Sequence, residues 1–327
     1  MSTNGDILKI SVVMCTYNGA RYIREQLETI LKQSYPIHEI IVQDDESSDE
    51  TFEIVQQMAE ENPLIHAYLN ESGVHGINGN FFSAMARATG DYIAISDQDD
   101  LWESDKLRLQ AEAIGSKMLC TGFSVPFSDG GYPVSFDPRV PNTHLIRMTY
   151  ICAVPGHSML FKREMLDYIR GGEMLPLYYD WQLVNVASAA ESIVFVEKTL
   201  VNFRRHADSA TAAMPVGHQI LSSGGWNYIK ISLFYHHKLQ ALVRRRFSVV
   251  YPFLQKLPFE TQSLKDALYM SRLQLQRGPV SFINRVVFFM KHSHCLFHAE
   301  ERRPLIRILR AMFFVFSCGF YYRGQLK

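Results

Sequence analysis

Residues 9–103 repeat one pattern: a short apolar run rich in β-branched residues, then apolar residues at helical spacing. Runs at 10–15, 39–42, 64–69 and 92–96 predict four strands. Between the first two, Ile23, Leu27, Ile30 and Leu31 fall at i, i+4, i+7 and i+8, one face of a helix. Ser47-Ser48-Asp49 can cap a second helix that carries Phe52, Val55 and Met58 on one side. Gly73, Gly76 and Gly79 predict a loop, with a third helix over 81–88. Repeated strand–helix units of this length imply an α/β fold, a mostly parallel sheet with helices on both faces.

The middle of the chain is less regular. Residues 124–142 contain four prolines and predict a long loop. A strand over 158–161 is followed by a helix from about 163, and Tyr178-Tyr179-Asp180-Trp181 leads into a helix over 183–190. A further strand covers 193–196. Beyond 215 the pattern turns helical, so a domain boundary is placed there, and 327 residues are long for a single core. The net charge of zero hides a split at the same place. Residues 215–327 hold 17 Lys and Arg against 4 Asp and Glu, a net +13, which residues 1–214 balance at −13. Two regions with different partners are expected. The five cysteines are odd in number and contain no CxxC pair, which argues against a disulfide framework or a thiolate zinc site. The first nine residues lack the apolar core of a signal peptide, so the expected location is cytoplasmic.

In open α/β sheets the ligand sits outside the carboxyl ends of the strands. Three polar signals lie there: Thr16-Tyr17-Asn18, Asp44-Asp45, and the run Asp97-Gln98-Asp99-Asp100. Like charges this close raise one another's pKa unless a cation sits among them. Hard divalent ions take oxygen ligands and often share one or two carboxylates with substrate phosphates. The acidic run therefore reads either as a metal site for a phosphorylated ligand or as a solvated turn opening the next helix.

Taken in order, these motifs resemble the family 2 glycosyltransferases, inverting enzymes of the GT-A fold. Val-Val-Met-Cys-Thr-Tyr-Asn-Gly at 12–19 looks like their first strand and donor loop, and Asp44-Asp45-Glu46-Ser47-Ser48-Asp49-Glu50-Thr51 like their Asp-Asp-x-Ser-x-Asp-x-Thr segment. Ser96-Asp97-Gln98-Asp99-Asp100-Leu101-Trp102 is similar to the bacterial rhamnosyltransferase-type branch. Gly156-His157-Ser158-Met159 and Tyr179-Asp180-Trp181 resemble acceptor-side segments, and Arg204-Arg205-His206 the family's closing Arg-x-His. The resemblance covers about residues 9–210. It implies a GT-A catalytic domain over 1–214, with a nucleotide-sugar half at 9–103 and an acceptor half at 104–214; the basic helical region read from the pattern at 215–327 lies beyond it.

On that resemblance Thr16, Tyr17, Asn18, Asp45, Asn80 and Asp97 contact the nucleotide. Asp99 and His206 hold a divalent metal, Mn²⁺ or Mg²⁺. Gly156, His157 and Trp181 lie on the acceptor side. The reaction implied is transfer of a sugar from a nucleotide-diphosphate donor to a hydroxyl of a glycan acceptor, lipid-linked, in bacterial surface polysaccharide synthesis. Attack by that hydroxyl needs a base within hydrogen-bond reach. Asp180 is the candidate, at the start of a helix where the dipole favours an ionised carboxylate; a plain N-cap explains the same residue. Asp45 can contact a base or tie turn amides. Arg302, Arg303, Arg307 and Arg310 precede a dozen mostly apolar residues, 311–322, fewer than the about 20 a spanning helix needs. That segment can lie on the cytoplasmic face of the inner membrane or pack on the protein. No nucleic-acid motif accompanies the charge. Two rival functions stand beside the transferase: a non-catalytic nucleotide-sugar-binding protein of the same fold, and a metal-dependent phosphoryl-transfer protein.

Overall fold

The structure is a computed structural model that describes residues 7–169, 177–207, 225–297 and 303–325. The expected boundary at 214/215 and Arg302 lie outside these residues. The chain divides into two compact units. One comprises Met1–Val134, Val154–Leu183 and Ser192–Ser209; the other comprises Ser135–Ala153, Val184–Glu191 and Ala210–Lys327.

The first unit is built on an eight-stranded sheet. Its strands are β1 (Ile10–Thr16), β2 (Glu39–Asp44), β3 (Ile65–Leu69), β4 (Tyr92–Ser96), β5 (Leu101–Trp102), β6 (Leu119–Phe127), β7 (Leu160–Lys162) and β8 (Ile193–Arg204), in the order β3-β2-β1-β4-β7-β6-β8-β5. Pairings among the first four are all parallel. β7 then runs antiparallel to β4 and β6, whereas β6 and β8 are parallel. The α/β reading holds, and the sheet is mixed beyond β4. Strands covered on both faces must be apolar throughout. Ile10, Val12, Val13 and Met14 are accordingly buried, as are Ile40, Ile41 and Val42 on β2 and Ile93, Ala94 and Ile95 on β4.

Helices α1 (Ile23–Leu31), α2 (Thr51–Glu61), α3 (Gly76–Ala86) and α4 (Lys106–Ile114) belong to this unit. α1 buries Ile23, Leu27 and Ile30 on the face its spacing predicts. α3 starts five residues earlier than expected and takes in Gly76 and Gly79. Its first amide is capped by a carboxylate 31 residues away, since Gly76 N donates to Asp45 Oδ2 at 2.7 Å. Gly79 is needed because a Cβ there would strike the Val74 carbonyl. Part of the expected 124–142 loop is strand instead. Pro126 sits in β6 because β7 pairs only with Leu119 and Cys120, so no neighbour on that side needs its missing N–H. The strand expected over 158–161 begins later, after a 3₁₀ turn at Gly156–Ser158, and a second 3₁₀ stretch covers Arg163–Tyr168.

Helix α5 (Leu145–Met148) lies in the second unit, and α6 (Tyr179–Ala189) begins in the first and ends in the second. The rest of the second unit is α7 (Gly225–Phe234), α8 (His236–Gln255), α9 (Gln262–Leu275), α10 (Pro279–Lys291), α11 (Ser293–Leu296) and α12 (Pro304–Ser317), followed by a 3₁₀ stretch at Cys318–Gln325. α8 buries Leu239, Val243, Phe247, Val250 and Leu254, a single helical stripe. The rings of Phe247, Phe289 and Phe314 stand edge-on around Tyr150, with centroids 5.0, 6.4 and 5.1 Å away. A buried polar chain crosses the same core: Arg285 Nη1 donates to Gln240 Oε1 at 2.7 Å, and Gln274 Nε2 donates to Tyr150 Oη at 2.7 Å.

Candidate active site

β1 and β2 end in two loops that hold each other. Asn18, with φ of 48°, donates its N–H to Ser47 Oγ at 2.8 Å, and Ser47 Oγ donates in turn to Asp44 Oδ2 at 2.6 Å. Gly19 N donates to Thr51 Oγ1 at 2.8 Å, and Ala20 N donates to Asp49 Oδ2 at 3.1 Å. The Asn18 side chain reciprocates, accepting from Ser48 N at 2.8 Å. Ser47, Asp49 and Thr51 therefore shape the loop at 17–20. Burial opposes the charge of Asp49, but the Thr51 hydroxyl and the Ala20 and Thr51 amides hold its carboxyl below the usual range.

Tyr17 is 59% exposed at the tip of this loop, and its backbone is fixed from the far side. Tyr17 N donates to Gln98 Oε1 at 2.9 Å, and Gln98 Nε2 donates to Tyr17 O at 3.0 Å. One amide thus joins the loop after β1 to the acidic run after β4. Thr16 is buried and donates Oγ1 to Asp44 Oδ2 at 2.7 Å. The Asp45 carboxylate is already engaged, accepting from Asn70 Nδ2 at 2.6 Å and Gly76 N at 2.7 Å, with His75 Nδ1 at 2.9 Å.

The acidic run divides between two histidines. His157 Nδ1 lies 2.9 Å from Asp97 Oδ2 and 3.2 Å from Asp100 Oδ2, while its Nε2 lies 2.7 Å from Ser124 Oγ. Burial opposes its charge, but the carboxylates of Asp100 and Asp97 raise the imidazole pKa to about 9. Asp100 is 0% exposed, and burial above all pushes its carboxyl up to about 8 despite the nearby imidazole. Its Oδ1 accepts from Arg204 N at 3.1 Å. Arg204 also donates Nε to Asp99 O at 2.9 Å and Nη2 to Glu25 Oε2 at 2.6 Å, pairs with Asp129, and stacks over Tyr22 and Phe127. This guanidinium locks the backbone of the acidic run to the end of β8. Asp99 Oδ2 meets His206 Nε2 at 2.8 Å, and its pKa is raised by burial and by the charge of Asp97.

Asp180 sits in the first turn of α6, half-buried, with Oδ1 accepting from Trp181 N at 2.7 Å. Burial, then the Asp97 charge, push its carboxyl up to about 6, whereas the Trp181 amide and His157 pull the other way. The turn is held from α3: Tyr179 N donates to Asn78 Oδ1 at 2.9 Å, and Asn78 Nδ2 donates to Leu177 O at 3.1 Å. Gly156 lies against the Tyr179 hydroxyl, where a Cβ would collide.

Asp97, Asp99, Asp180, His157 and His206 thus gather around one acidic loop, with the 16–18 segment joined to it through Gln98. Two residues expected at ligand surfaces lie inside. Asn80 is buried, with Nδ2 donating to Gln43 O at 3.1 Å and Oδ1 accepting from Gln43 Nε2 at 3.0 Å, so it ties α3 to β2. Trp181 is 3% exposed, and its indole packs in the interior. His157, expected on the acceptor side, bridges the carboxylates of Asp97 and Asp100. Asp100 is legible in the sequence only as part of the acidic run, and Gln98 and Asn78 carry no chemical signal of their own beyond the paired asparagines at 78 and 80.

A divalent cation fits this donor set. One oxygen or nitrogen of each of Asp97, Asp100 and His157 lies within 4.8 Å of the others, and buried Asp100 Oδ2 faces His157 Nδ1 at 3.2 Å. His157 already supplies positive charge to Asp100 on the inner side. The oxygen ligands that hard divalent ions prefer are then offered by Asp97 and Asp99.

Residues 11–169 match the family model described as glycosyl transferase family 2. These residues, just under half of the chain, form a family 2 glycosyltransferase domain. Among its relatives is TuaG of Bacillus subtilis, named for teichuronic acid biosynthesis, 27% identical over 238 residues, which are 71% of this chain and 89% of the relative. WfgD of Escherichia coli, a UDP-Glc:α-D-GlcNAc-diphosphoundecaprenol β-1,3-glucosyltransferase, is 34% identical over 125 residues, 38% of this chain and 46% of that one. In fold, the chain is similar to S. aureus TarS 1–349, crystallised with UDP-GlcNAc, with a TM-score of 0.55 and 16% identity over 97% of this chain and 92% of that one. The fold is GT-A-like, with the helical region following it.

Proposed function

We propose that this glycosyltransferase moves a sugar from a nucleoside diphosphate to a hydroxyl of a lipid-linked glycan, with inversion and with a divalent metal, in the synthesis of a bacterial surface polysaccharide. The observation that carries the reading is the joining, by Gln98, of the loop after β1 to the carboxylates after β4. A nucleoside and its diphosphate need those two features side by side. Asp97 and Asp99 would hold Mg²⁺ or Mn²⁺, which when bound neutralises charge growing on the departing diphosphate. Tyr17 offers an exposed ring to the base, and Asp45 meets it by exchanging its contact with His75. His206 fixes the rotamer of Asp99.

Asp180 accepts the proton of the acceptor hydroxyl as its oxygen attacks the anomeric carbon from the face opposite the diphosphate. A pKa of about 6 suits that task, since the carboxylate is ionised at neutral pH and still basic enough to take a proton. The relatives' named activities support the acceptor class: WfgD is named for a diphosphoundecaprenol-linked sugar, as is a Campylobacter jejuni β-1,3-glucosyltransferase 34% identical over 92 residues. An acceptor anchored in this way puts the enzyme at the cytoplasmic face of a membrane.

The test is a melting-temperature panel of UDP, dTDP and GDP with and without Mn²⁺, followed by donor hydrolysis. A ligand that binds only the folded chain raises the melting point. One diphosphate should do so in a metal-dependent way, and Asp99→Ala should abolish both the shift and turnover while the chain stays folded. Binding unaffected by metal and by Asp99→Ala would refute the metal assignment. Intact binding without transfer to any lipid-linked acceptor would leave the non-catalytic reading.

A further inference from the structure

The helical unit carries rows of apolar side chains that its described residues leave exposed. On α10, Val280, Ile283 and Val287 fall at i, i+3 and i+7 and are all exposed. On α12, Leu305, Leu309 and Met312 fall at i, i+4 and i+7 and are exposed as well, Leu305 by 76%. The two helices pack side by side through Phe282 against Phe316 and Phe289 against Phe314, with ring centroids 5.4 and 5.1 Å apart. Those contacts and the buried Ala311, Phe314 and Val315 use their inner faces. α7 packs on the same helix through Tyr228 and Phe313, 5.9 Å apart, and leaves Leu233 and Phe234 in solvent, the latter by 84%. Single exposed apolar residues need no explanation, but rows on two packed helices beside the apolar tip of a third do.

The charge around the rows names the occupant. Arg303, Arg307 and Arg310 stand at the start of α12 and on it, Lys291 ends α10, and Lys230 lies on α7. The whole 215–327 region has a net charge of +13. A basic rim around outward-facing Leu, Ile, Val, Met and Phe is the pattern of a helix lying in the plane of an anionic lipid surface.

α12 also corrects the sequence reading of its length. The helix starts at Pro304, so residues 304–322 form a 19-residue apolar stretch of mean hydropathy 1.4, long and apolar enough to cross a membrane by length and composition. Its inner face is already packed, however, with 39% of the stretch buried. Crossing would strip Phe314 and Val315 from the unit's core, whereas lying flat uses only the exposed row.

We propose that the outward faces of α10 and α12, with the tip of α7, dock this protein onto the surface of an anionic bilayer. The proposal does not depend on the sugar chemistry, because vesicle binding is measured without donor or acceptor. The full chain is mixed with vesicles of phosphatidylcholine alone or with added phosphatidylglycerol, and the pelleted fraction is followed with rising salt. Binding should require the anionic lipid and weaken at high salt. The surface pairs Leu305→Glu/Leu309→Glu and Ile283→Glu/Val287→Glu should each lower it about tenfold or more, since each sets two carboxylates against the lipid. Melting temperature and nucleotide-induced shifts should stay at parental values. Equal binding to neutral vesicles, or binding indifferent to both pairs, overturns the proposal. So does a dimer, seen by light scattering without vesicles, that either pair dissociates, because the rows would then belong to a second copy of this chain.

Discussion

Gln98→Ala removes a side chain that ties the loop after β1 to the acidic run after β4. It takes away two hydrogen bonds, at 2.9 and 3.0 Å, between residues 81 positions apart. A neutral hydrogen bond contributes about 0.5–1.5 kcal/mol net. Both backbone groups of Tyr17 are exposed and regain water, so the lower part of that range applies, about 1–2 kcal/mol for the pair. The penalty falls on loop order, which a bound nucleotide must restore, and corresponds to about 5–30-fold in Kd. Calorimetric titration with the diphosphate chosen by the melting panel, at saturating Mn²⁺, measures it directly. Gln98→Glu keeps one acceptor, loses the donor and adds charge beside three carboxylates, so it should bind no better than the alanine variant. A Kd within twofold of the parent for Gln98→Ala, with unchanged melting temperature, would refute the idea that this amide organises the site.

Four other outcomes follow from the same geometry. With its carboxyl raised to about 6, Asp180 is ionised above that pH, so kcat/KM should fall as pH drops through about 6; Asp180→Asn should lose about 10²–10⁴-fold in kcat and flatten that limb. Because a raised carboxyl pKa makes ionisation a cost to the folded state, fully present above about 6, Asp180→Asn should also melt higher than the parent at pH 7 and not at pH 4. Gly156→Ala should cost about 1–3 kcal/mol in denaturant unfolding, since Tyr179, stacked on Phe81 at 4.2 Å, has little room to retreat. Asp49→Ala strips the acceptor from Ala20 N and the Thr51 hydroxyl and should weaken nucleotide binding several-fold in the same titration, with stability lowered by about 1 kcal/mol.

The sequence was most informative where the physics is local. Strands buried on both faces read as apolar runs, and the four expected between 9 and 103 fall within two residues of β1 to β4 at either end. The start of α3 was hidden because its cap is Asp45, on another loop, while the glycines at 76 and 79 argued for an open turn. Pro126 hid the end of β6, whose unpaired side cannot be seen without the sheet order. In the site, residue types with obvious chemistry stood out, and Asp97, Asp99, Asp180 and His206 were named from the chain. The contact of His157 with Asp97 and Asp100 is not legible in the sequence, because it spans about sixty positions. Gln98 was passed over between two acids, although its neutral amide is what couples two loops.

The loop at 17–20 owes its shape to Ser47, Asp49, Thr51 and Gln98, partners 29 to 81 positions along the chain, more than to its own backbone. It is consequently a late product of folding: contacts of such long sequence separation form only after the costly loop closures between them. A fragment ending before β4 would contain every residue of the nucleotide loop and still lack the scaffold that shapes it. Affinity for a nucleotide should therefore appear all at once during refolding, together with closure of the β1–β4 pair, and never in the isolated first half of the sheet.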